Sequence, residues 1–353
     1  MNLQLEGNKL LYHLDRLYDW SKGRAVYPLY LEIGPVSACN QRCVHCYISH
    51  RGFRNSLLKE EPFLRLINDI SQVGVKGIQL AGCGEPLLNK AVPKAIREAG
   101  RHNISVALTT NGVLYEQKII EETLPATTWV RVSILGGTPE TYSLLHRAPA
   151  SQFNKLLRNI REAVRFKKRN AYSATIGIAM FLFRENGPEI LDTAKLMRDI
   201  GVDYFVVKCP GCDPKNKYRP EKGLEKIFAE ELSAVEKLNS SSFHARVRWD
   251  QFAGEDKRAN LPAGCLSLDF MAVVHSDGGV YSCNGHWGEK RYCYGNINAS
   301  SFIEIWNSEE RKRISERLKK SAAHADCYCI CRNYSANKLL WDLTHPPLHV
   351  DLI

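Results

Sequence analysis

The stretch YLEIGPVSACNQRCVHC, residues 30–46, joins a short apolar segment to three closely spaced cysteines. Its first residues, Tyr30–Ile33, predict a buried β-strand because they form a short run of mostly apolar side chains. The cysteines that follow in the loop are Cys39, Cys43 and Cys46. Three thiolates at this spacing suit an iron–sulfur cluster in which one iron has no protein ligand. The spacing leaves one alternative open, a zinc site completed by His45 or His50.

Outward from that strand, short apolar strands alternate with amphipathic helices. The predicted strands are Tyr30–Ile33, Gly77–Ala81, Ile104–Thr109, Trp129–Ile134, Ser173–Phe183 and Tyr204–Lys208. The predicted helices are Lys59–Val73, Lys90–Arg101, Tyr115–Thr123, Gln152–Arg169 and Pro188–Ile200. This alternation is typical of parallel βα units, so we expect an α/β fold, a partial (β/α)6 barrel of the TIM type. An open doubly wound sheet is the alternative, and in both folds the active site lies at the C-terminal ends of the strands.

The pattern changes after residue 208. Residues 209–222 predict a loop because they are rich in proline, glycine and charge, and residues 223–239 predict a helix. Two short strands around Asp277-Gly278-Gly279 predict a hairpin. We therefore expect an N-terminal helix over 1–24, in which residues 1–20 form one amphipathic helix, a barrel over 25–240 and a small α+β domain over 241–353.

Composition limits the class of protein. The chain has 353 residues, 12 cysteines and a formal net charge of +10. Its N-terminus has no apolar signal segment, and the longest apolar run, Ile176–Phe183, is far too short to cross a membrane. We therefore expect a cytoplasmic protein whose thiols bind metal. No motif indicates nucleic-acid binding. The basic helix over 158–169 either presents a solvated face or attracts a phosphorylated substrate or an acidic electron donor.

Several motifs, in order along the chain, resemble the radical S-adenosylmethionine (SAM) superfamily. The three cysteines match its C-x3-C-x-Φ-C motif, with His45 at the position Φ that usually holds an aromatic ring. Gly82-Cys83-Gly84-Glu85-Pro86 resembles the family's glycine-rich motif that holds the SAM amino group, and Asn111 and Ser133 resemble positions that line the SAM pocket. The resemblance implies a [4Fe–4S] cluster on the three cysteines. The implied SAM-binding residues are His45, Gly82, Gly84, Glu85, Asn111 and Ser133.

The same resemblance implies the chemistry. SAM binds the free iron of the cluster, an electron cleaves its sulfonium bond, and the resulting 5′-deoxyadenosyl radical abstracts a hydrogen atom from the substrate. The electron is expected from a donor of the flavodoxin or ferredoxin type.

The C-terminal residues resemble the SPASM/twitch extension of radical SAM enzymes. The cues are DGGVYSC at 277–283, YGNI at 294–297, EIW at 304–306 and the tail that begins at Cys331. This resemblance implies an auxiliary [4Fe–4S] cluster whose ligands are Cys265, Cys283, Cys327 and Cys331. A structural zinc site, a three-cysteine cluster open to substrate, and Cys329 in place of Cys327 or Cys331 remain alternatives.

Five further cysteines bear on the outcome of the reaction: Cys83, Cys209, Cys212, Cys293 and Cys329. A thiol that faces a substrate radical can return a hydrogen atom and epimerise the substrate, whereas loss of an electron to the auxiliary cluster oxidises it. Cys209 and Cys293 are the candidate catalytic thiols, and a buried structural thiol is the ordinary alternative. Lys208, beside Cys209, is either a contact for a carboxylate or phosphate or a solvated lysine.

The whole chain resembles radical SAM proteins that modify carbohydrates and natural products. We therefore expect hydrogen abstraction from a carbohydrate- or aminocyclitol-like small molecule, with a phosphorylated or nucleotide-linked substrate as a further option, followed by oxidation or epimerisation. A peptide-modifying maturase and a non-catalytic iron–sulfur or zinc protein are the alternatives.

Overall fold

One mixed sheet organises the computed structural model, which describes residues 9–211, 221–252, 264–320, 331 and 333–352. The order of the strands across the sheet is β10-β9-β8-β1-β2-β3-β4-β5-β6-β7. The strands are β1 (Tyr30–Ile33), β2 (Gly77–Leu80), β3 (Ser105–Thr110), β4 (Trp129–Ile134), β5 (Thr175–Phe181), β6 (Tyr204–Lys208), β7 (His244–Val247), β8 (Met271–Val274), β9 (Gly279–Tyr281) and β10 (Cys293–Asn296).

Helices follow the parallel strands and cover one face of the sheet. Helix α3 shows why they form: Phe63, Leu66, Ile67 and Ile70 recur at helical spacing and are buried against the strands. The helices are α1 (Leu14–Ser21), α2 (Tyr47–Arg51), α3 (Glu60–Gln72), α4 (Val92–Arg101), α5 (Gln117–Thr123), α6 (Pro139–His146), α7 (Ser151–Arg169), α8 (Ile190–Ile200), α9 (Leu224–Ile227), α10 (Ala229–Glu236), α11 (Trp249–Phe252), α12 (Phe302–Asn307), α13 (Glu309–Lys320) and α14 (Tyr334–Thr344).

The six predicted strands pair in parallel from β1 to β6, which confirms the α/β fold and the parallel barrel sheet. A seventh parallel strand that was not predicted, β7, extends this sheet beside β6. Its sequence HARV alternates polar and apolar residues, so it offers no apolar run to detect. The sheet ends at β7 and β10, so the barrel stays partial. β7 lies beyond the expected domain boundary at residue 240, and that boundary remains a prediction.

The predicted hairpin forms from β8 and β9, which pair antiparallel. Its placement was not predicted: β8 lies beside β1 in parallel, with Tyr30 opposite Met271 and Ile33 opposite Val274. The hairpin therefore extends the barrel sheet. It also fixes the C-terminal cysteines relative to β1, the strand that leads into the Cys39 loop.

The N-terminal segment differs from the single helix expected over residues 1–20. A 3₁₀ turn over Lys9–Tyr12 is followed by α1, with His13 between them in a non-helical conformation. Residues 1–8 lie outside the described part of the chain. None of the helices described is long and apolar enough to cross a membrane.

The two faces of the barrel strands differ in chemistry because neighbouring strand residues point to opposite sides. Val130 and Val132 on β4 are buried in the hydrophobic core. On the inner face, Tyr30 donates to Gln79, Gln79 donates to Thr109, and Arg131 also donates to Thr109, at 2.6, 2.9 and 3.2 Å. The interior of the barrel is therefore a polar, hydrogen-bonded surface.

Candidate functional site

The cysteines of the loop between β1 and α2 line a cavity of about 330 Å³ at the C-terminal ends of the strands. Burial, with the Glu85 carboxylate adding to it, raises the pKa of Cys39 to about 12. Burial also raises the pKa of Cys43, and the neighbouring thiols Cys46 and Cys39 raise it further. Three half-buried thiols that repel one another as thiolates need a positively charged group between them. An iron–sulfur cluster meets that need.

The arrangement does not suit a single ion. In the described residues, no group of three or more Cys, His, Asp or Glu side chains is arranged around one metal position. A four-iron cluster spreads its thiolate ligands over the corners of a cube, so its cysteines lie farther apart than those of a zinc site. Among the described residues, the zinc alternative therefore has no preformed single-ion site to support it.

The glycine-rich segment after β2 packs directly on the cysteine loop. Gly82 has φ +98°, a conformation that L side chains rarely adopt. A Cβ at Gly84 would lie 2.1 Å from the Ala38 carbonyl oxygen, so only glycine allows this approach. The next amide, that of Glu85, donates to the same oxygen at 2.9 Å. The two loops that line the cavity are thereby held together.

Glu85 is 2% exposed and organises the cavity wall. Its carboxylate accepts hydrogen bonds from the Thr110 hydroxyl at 2.6 Å and from the Asn111 amide at 2.7 Å. Burial raises the pKa of Glu85, and these hydrogen bonds oppose the rise. The Asn111 side chain in turn donates to Asn40, the residue after Cys39, at 2.7 Å. Glu85 and Asn111 thus orient the cysteine loop; their contact with SAM remains a prediction.

His45 and Ser133, also predicted to bind SAM, line the same cavity. The His45 ring packs against Phe181, with 4.6 Å between the ring centroids. Burial, and then His50, lower the pKa of His45 to about 4, so the ring is neutral at pH 7. Its Nδ1 is buried without a partner among the described residues, which leaves a polar atom for a bound cofactor. The structure thus brings every predicted SAM-binding residue to one cavity.

Two residues that sequence reasoning missed, Gln41 and His146, complete the wall behind Cys43. The Leu135 amide donates to His146 Nε2 at 2.9 Å. The His146 proton therefore resides on Nδ1, which faces Gln41 Oε1 at 2.9 Å and Cys43 Sγ at 3.3 Å. A lone histidine at the end of a helix gives no signal in a single sequence.

The auxiliary site assembles between the β8–β9 hairpin and α14. The Cys265 thiol contacts Asn337 Nδ2 at 3.6 Å and Ser267 Oγ at 3.5 Å, and burial raises its pKa. Burial raises the pKa of Tyr294, Arg311 opposes this, and Cys265 and Cys283 raise it further, so the charge of either thiolate reaches that ring.

The other two predicted ligands, Cys327 and Cys331, precede α14 in the chain. Cys331 precedes α14, the helix that carries Asn337, whereas Cys327 lies outside the described residues. The buried Tyr294 hydroxyl has no partner among the described residues, so it is available to a cluster at this position. The residues present fit an iron–sulfur group.

The two candidate catalytic thiols do not line the cavity. Cys209 packs against the hydrophobic core between sheet and helices, the side of β6 opposite to Lys208. Cys293 packs beside Cys83 and Trp287, and its thiol donates to the Gly295 carbonyl at 3.3 Å. Cys212 and Cys329 lie outside the described residues. A catalytic role for Cys209 or Cys293 remains a prediction.

Comparison with known proteins agrees with this geometry. Residues 33–197 match the radical SAM superfamily, and residues 265–333 match SPASM, an iron–sulfur cluster-binding domain. The tungsten-containing aldehyde ferredoxin oxidoreductase cofactor-modifying protein of Pyrococcus furiosus is 22% identical over 306 residues, 80% of this chain and 81% of that protein. The GTP 3',8-cyclase of Desulforamulus reducens is 26% identical over 194 residues, 52% of this chain and 57% of the cyclase.

Solved structures share the fold. SuiB of Streptococcus suis bound to S-adenosylmethionine superimposes with a TM-score of 0.63 and 15% identity, over 87% of this chain and 73% of SuiB. Native anSMEcpe with bound AdoMet and Cp18Cys peptide gives a TM-score of 0.60 and 18% identity, over 88% of each chain. The cofactors are SAM, the [4Fe–4S] cluster that binds it and an auxiliary [4Fe–4S] cluster. The chain belongs to the radical SAM superfamily and is a radical SAM enzyme with a C-terminal SPASM domain.

Proposed function

We propose that this enzyme oxidises a carbohydrate- or aminocyclitol-like small molecule at a carbon that bears a hydroxyl group. SAM and the clusters, when bound, supply hydrogen-atom abstraction from that carbon and an acceptor for one electron. The substrate radical would then lose its hydroxyl proton to solvent and one electron to that acceptor, and the carbon would become a carbonyl. The reductant for SAM cleavage is proposed to be of the flavodoxin or ferredoxin type.

One observation supports oxidation over epimerisation. Epimerisation requires a thiol that returns a hydrogen atom to the substrate radical. Among the described residues that line the cavity, the thiols are the three cluster cysteines. Cys209, the candidate donor at the end of β6, is half-buried and packs against the core on the other side of the strand. Among the described residues no further thiol faces the radical, and a radical without a nearby hydrogen donor loses an electron instead.

The cavity wall favours a radical reaction because it is built from buried and hydrogen-bonded groups. Leu135 and Phe181 supply apolar surface, and Glu85 and Asn111 use their polar atoms to hold the cysteine loop. Such a wall excludes water and other proton or hydrogen donors from the reacting carbon.

The sequence relatives support a small-molecule substrate. The name of the cyclases gives GTP as their substrate, and the name of the Pyrococcus protein says that it modifies a cofactor. The second candidate is peptide modification, for which the support is the fold shared with SuiB bound to precursor peptide SuiA, at 14% identity.

The test is anaerobic turnover of the reconstituted enzyme with SAM and dithionite in D2O. Sugar phosphates, nucleotide sugars and aminocyclitols form one panel, and short peptides form the other. We expect 5′-deoxyadenosine and a carbonyl product with the first panel, and no solvent deuterium on the reacting carbon. Absence of 5′-deoxyadenosine from protein that carries about eight iron atoms per chain would refute the proposal. Deuterium on the reacting carbon would show that the enzyme epimerises its substrate and does not oxidise it. Turnover of peptides alone would favour the second candidate.

A further inference from the structure

A second cavity of about 70 Å³ lies in the barrel beside the main one. Lys208 pairs in register with Phe181, which lines the main cavity. Arg131 points to the same side of β4 as Ser133, which also lines it. The small cavity therefore begins at the level of the main one and continues deeper into the barrel. The residues that line it are Trp129, Arg131, Tyr204, Val206, Lys208 and Arg248.

The wall of this cavity is strongly cationic. Neither Arg131 nor Lys208 makes an ion pair with a carboxylate in the described part of the chain. Arg131 donates to the Thr109 hydroxyl at 3.2 Å, and its guanidinium lies over Trp129, 4.8 Å from the ring centroid. Arg248 is already paired with Asp250, at 2.9 Å. Two basic side chains without a carboxylate partner among the described residues thus line one small cavity.

The proximity of Arg131 and Lys208 costs free energy when no anion is bound. Burial, and then the guanidinium groups of Arg131 and Arg248, lower the pKa of Lys208 well below its usual range. An anion in the cavity would remove this repulsion, because it pairs with both cations at once in a low-dielectric space.

A neutral donor faces the same space. The Tyr204 side chain is 0% exposed, and its hydroxyl makes no hydrogen bond of normal length to any described residue. The ring stacks on Trp129 at 6.2 Å and 17°, and it lies across Gly177, where a Cβ would be 1.9 Å from the ring. Glycine at this point of β5 makes room for the ring. The Trp129 indole N–H lies near the hydroxyl oxygen, but an indole can only donate, so the hydroxyl proton has no acceptor among the described residues and is a second sign of a ligand.

We propose that this cavity binds a phosphate group of the substrate, with Arg131 and Lys208 as charged contacts and the Tyr204 hydroxyl as a further donor. The inference rests on the proposed small-molecule function and narrows its substrate to a phosphate ester or a nucleotide-linked molecule. Two unpaired cations match the charge of a phosphate dianion better than that of a single carboxylate. The cavity also exceeds the roughly 10–15 Å³ that one water molecule requires.

The experiment is calorimetric titration of the anaerobically reconstituted, unreduced enzyme with inorganic phosphate and, separately, with acetate. Because it requires no turnover, its result is independent of whether the enzyme oxidises anything. We expect one phosphate site, binding weakened at least about tenfold in Lys208→Met and in Arg131→Gln, and a smaller loss in Tyr204→Phe. Lys195→Met, which removes an exposed lysine of α8 paired with Asp192, is the matched control and should bind phosphate as the wild type does.

Each outcome decides the matter. Equal phosphate binding by the wild type and by properly loaded Lys208→Met and Arg131→Gln would overturn the site, as would tighter binding of acetate than of phosphate. If Lys208→Met fails to take up its clusters, Arg131→Gln and Tyr204→Phe answer the same question. Phosphate binding together with a lack of 5′-deoxyadenosine under all conditions would instead refute the proposed function and leave the anion site standing.

Discussion

The Nδ1 atom of His146 lies 3.3 Å from the Sγ atom of Cys43, and the Leu135 amide determines that this nitrogen carries the proton. Burial, and then His45, lower the pKa of His146 to about 3, so the ring is a neutral donor. Hydrogen bonds to the sulfurs are among the factors that set the potential of an iron–sulfur cluster. The N–H is shared between Gln41 Oε1 at 2.9 Å and Cys43 Sγ, and through the second contact His146 is placed to tune the cluster that receives the first electron.

We predict that His146→Phe lowers the midpoint potential of the SAM-binding cluster. Reduction adds negative charge to the cluster, and a donor to its thiolate ligand stabilises that charge. SAM cleavage should slow by about 10- to 100-fold, as is typical when a group that orients a metal ligand is lost. A redox titration followed by electron paramagnetic resonance measures the potential directly.

His146→Gln provides the matched comparison, because its amide can still donate to sulfur and should recover part of the potential. His102→Gln, at the end of α4 and beside Glu98, should leave the potential unchanged. If His146→Phe destabilises the protein but leaves the potential at the wild-type value, the role of His146 is packing alone.

The contact between Gly84 and the cysteine loop predicts a position that tolerates no side chain. In Gly84→Ala the new Cβ would lie 2.1 Å from the Ala38 oxygen and 2.6 Å from the Val36 oxygen, so one of the two loops must move. We expect a loss of about 1–3 kcal/mol in the free energy of unfolding, and reduced iron uptake at the SAM-binding site. Denaturation followed by circular dichroism and iron analysis measure the two effects.

The control for this prediction is Gly77→Ala in β2, where the nearest atom to a new Cβ is the Ser105 oxygen at 3.6 Å. That contact is ordinary, so the free energy of unfolding should change by less than about 1 kcal/mol. Similar behaviour of both variants would show that the two loops are not held in contact at Gly84.

Local sequence patterns predicted those parts of the fold that depend on local physics. Strands β1 to β6 are apolar runs. The loops after β1 and β2 carry cysteine and glycine motifs whose spacing is typical of an iron–sulfur site and a SAM-binding site. Strand β7 was not predicted because its polar residues interrupt the apolar pattern. Its place in the sheet comes from pairing with β6. The parallel contact of β8 with β1 joins residues about 240 positions apart, and no local signal encodes it.

The same limit applies to the site. His45, Glu85 and Asn111 belong to motifs and could be placed in the cavity from the sequence. Arg131 and Lys208 lie on different strands and meet only because both strands turn that face inward. Each alone is an ordinary basic residue, so the charge of the small cavity emerges only from the register of the sheet.

For the auxiliary cluster, we predict that Cys265→Ser lowers the iron content from about eight to about four atoms per chain. 5′-Deoxyadenosine should still form, because the SAM-binding cluster has its own ligands, whereas the oxidised product should be lost. Iron analysis and product analysis on the same sample separate these effects. Loss of 5′-deoxyadenosine at full occupancy of the other cluster would contradict the assignment.

Asn337→Leu tests the surroundings of that cluster without removing a ligand. Asn337 is 2% exposed, accepts from the Ser267 amide at 2.8 Å and contacts the Cys265 thiol at 3.6 Å. Leaving the amide unsatisfied should cost about 1–3 kcal/mol in the free energy of unfolding. The potential of the auxiliary cluster should fall while that of the SAM-binding cluster stays constant, and an unchanged auxiliary potential would restrict Asn337 to a structural role.

The position of Cys209 predicts an unreactive thiol. Burial, and then Glu225, raise the pKa of Cys209 to about 11. Because the thiolate is the nucleophile, a raised pKa keeps the group protonated and slow at neutral pH. The rate of its alkylation by iodoacetamide should therefore keep rising between pH 7 and pH 10, by roughly tenfold per pH unit. The alkylation rate of N-acetylcysteine should instead level off above the ordinary thiol pKa of about 8.5. Peptide mapping by mass spectrometry locates the label, and Cys209→Ser removes it. A rate that levels off near pH 9 would mean that Cys209 is exposed, and would restore it as a candidate hydrogen donor and epimerisation as the reaction.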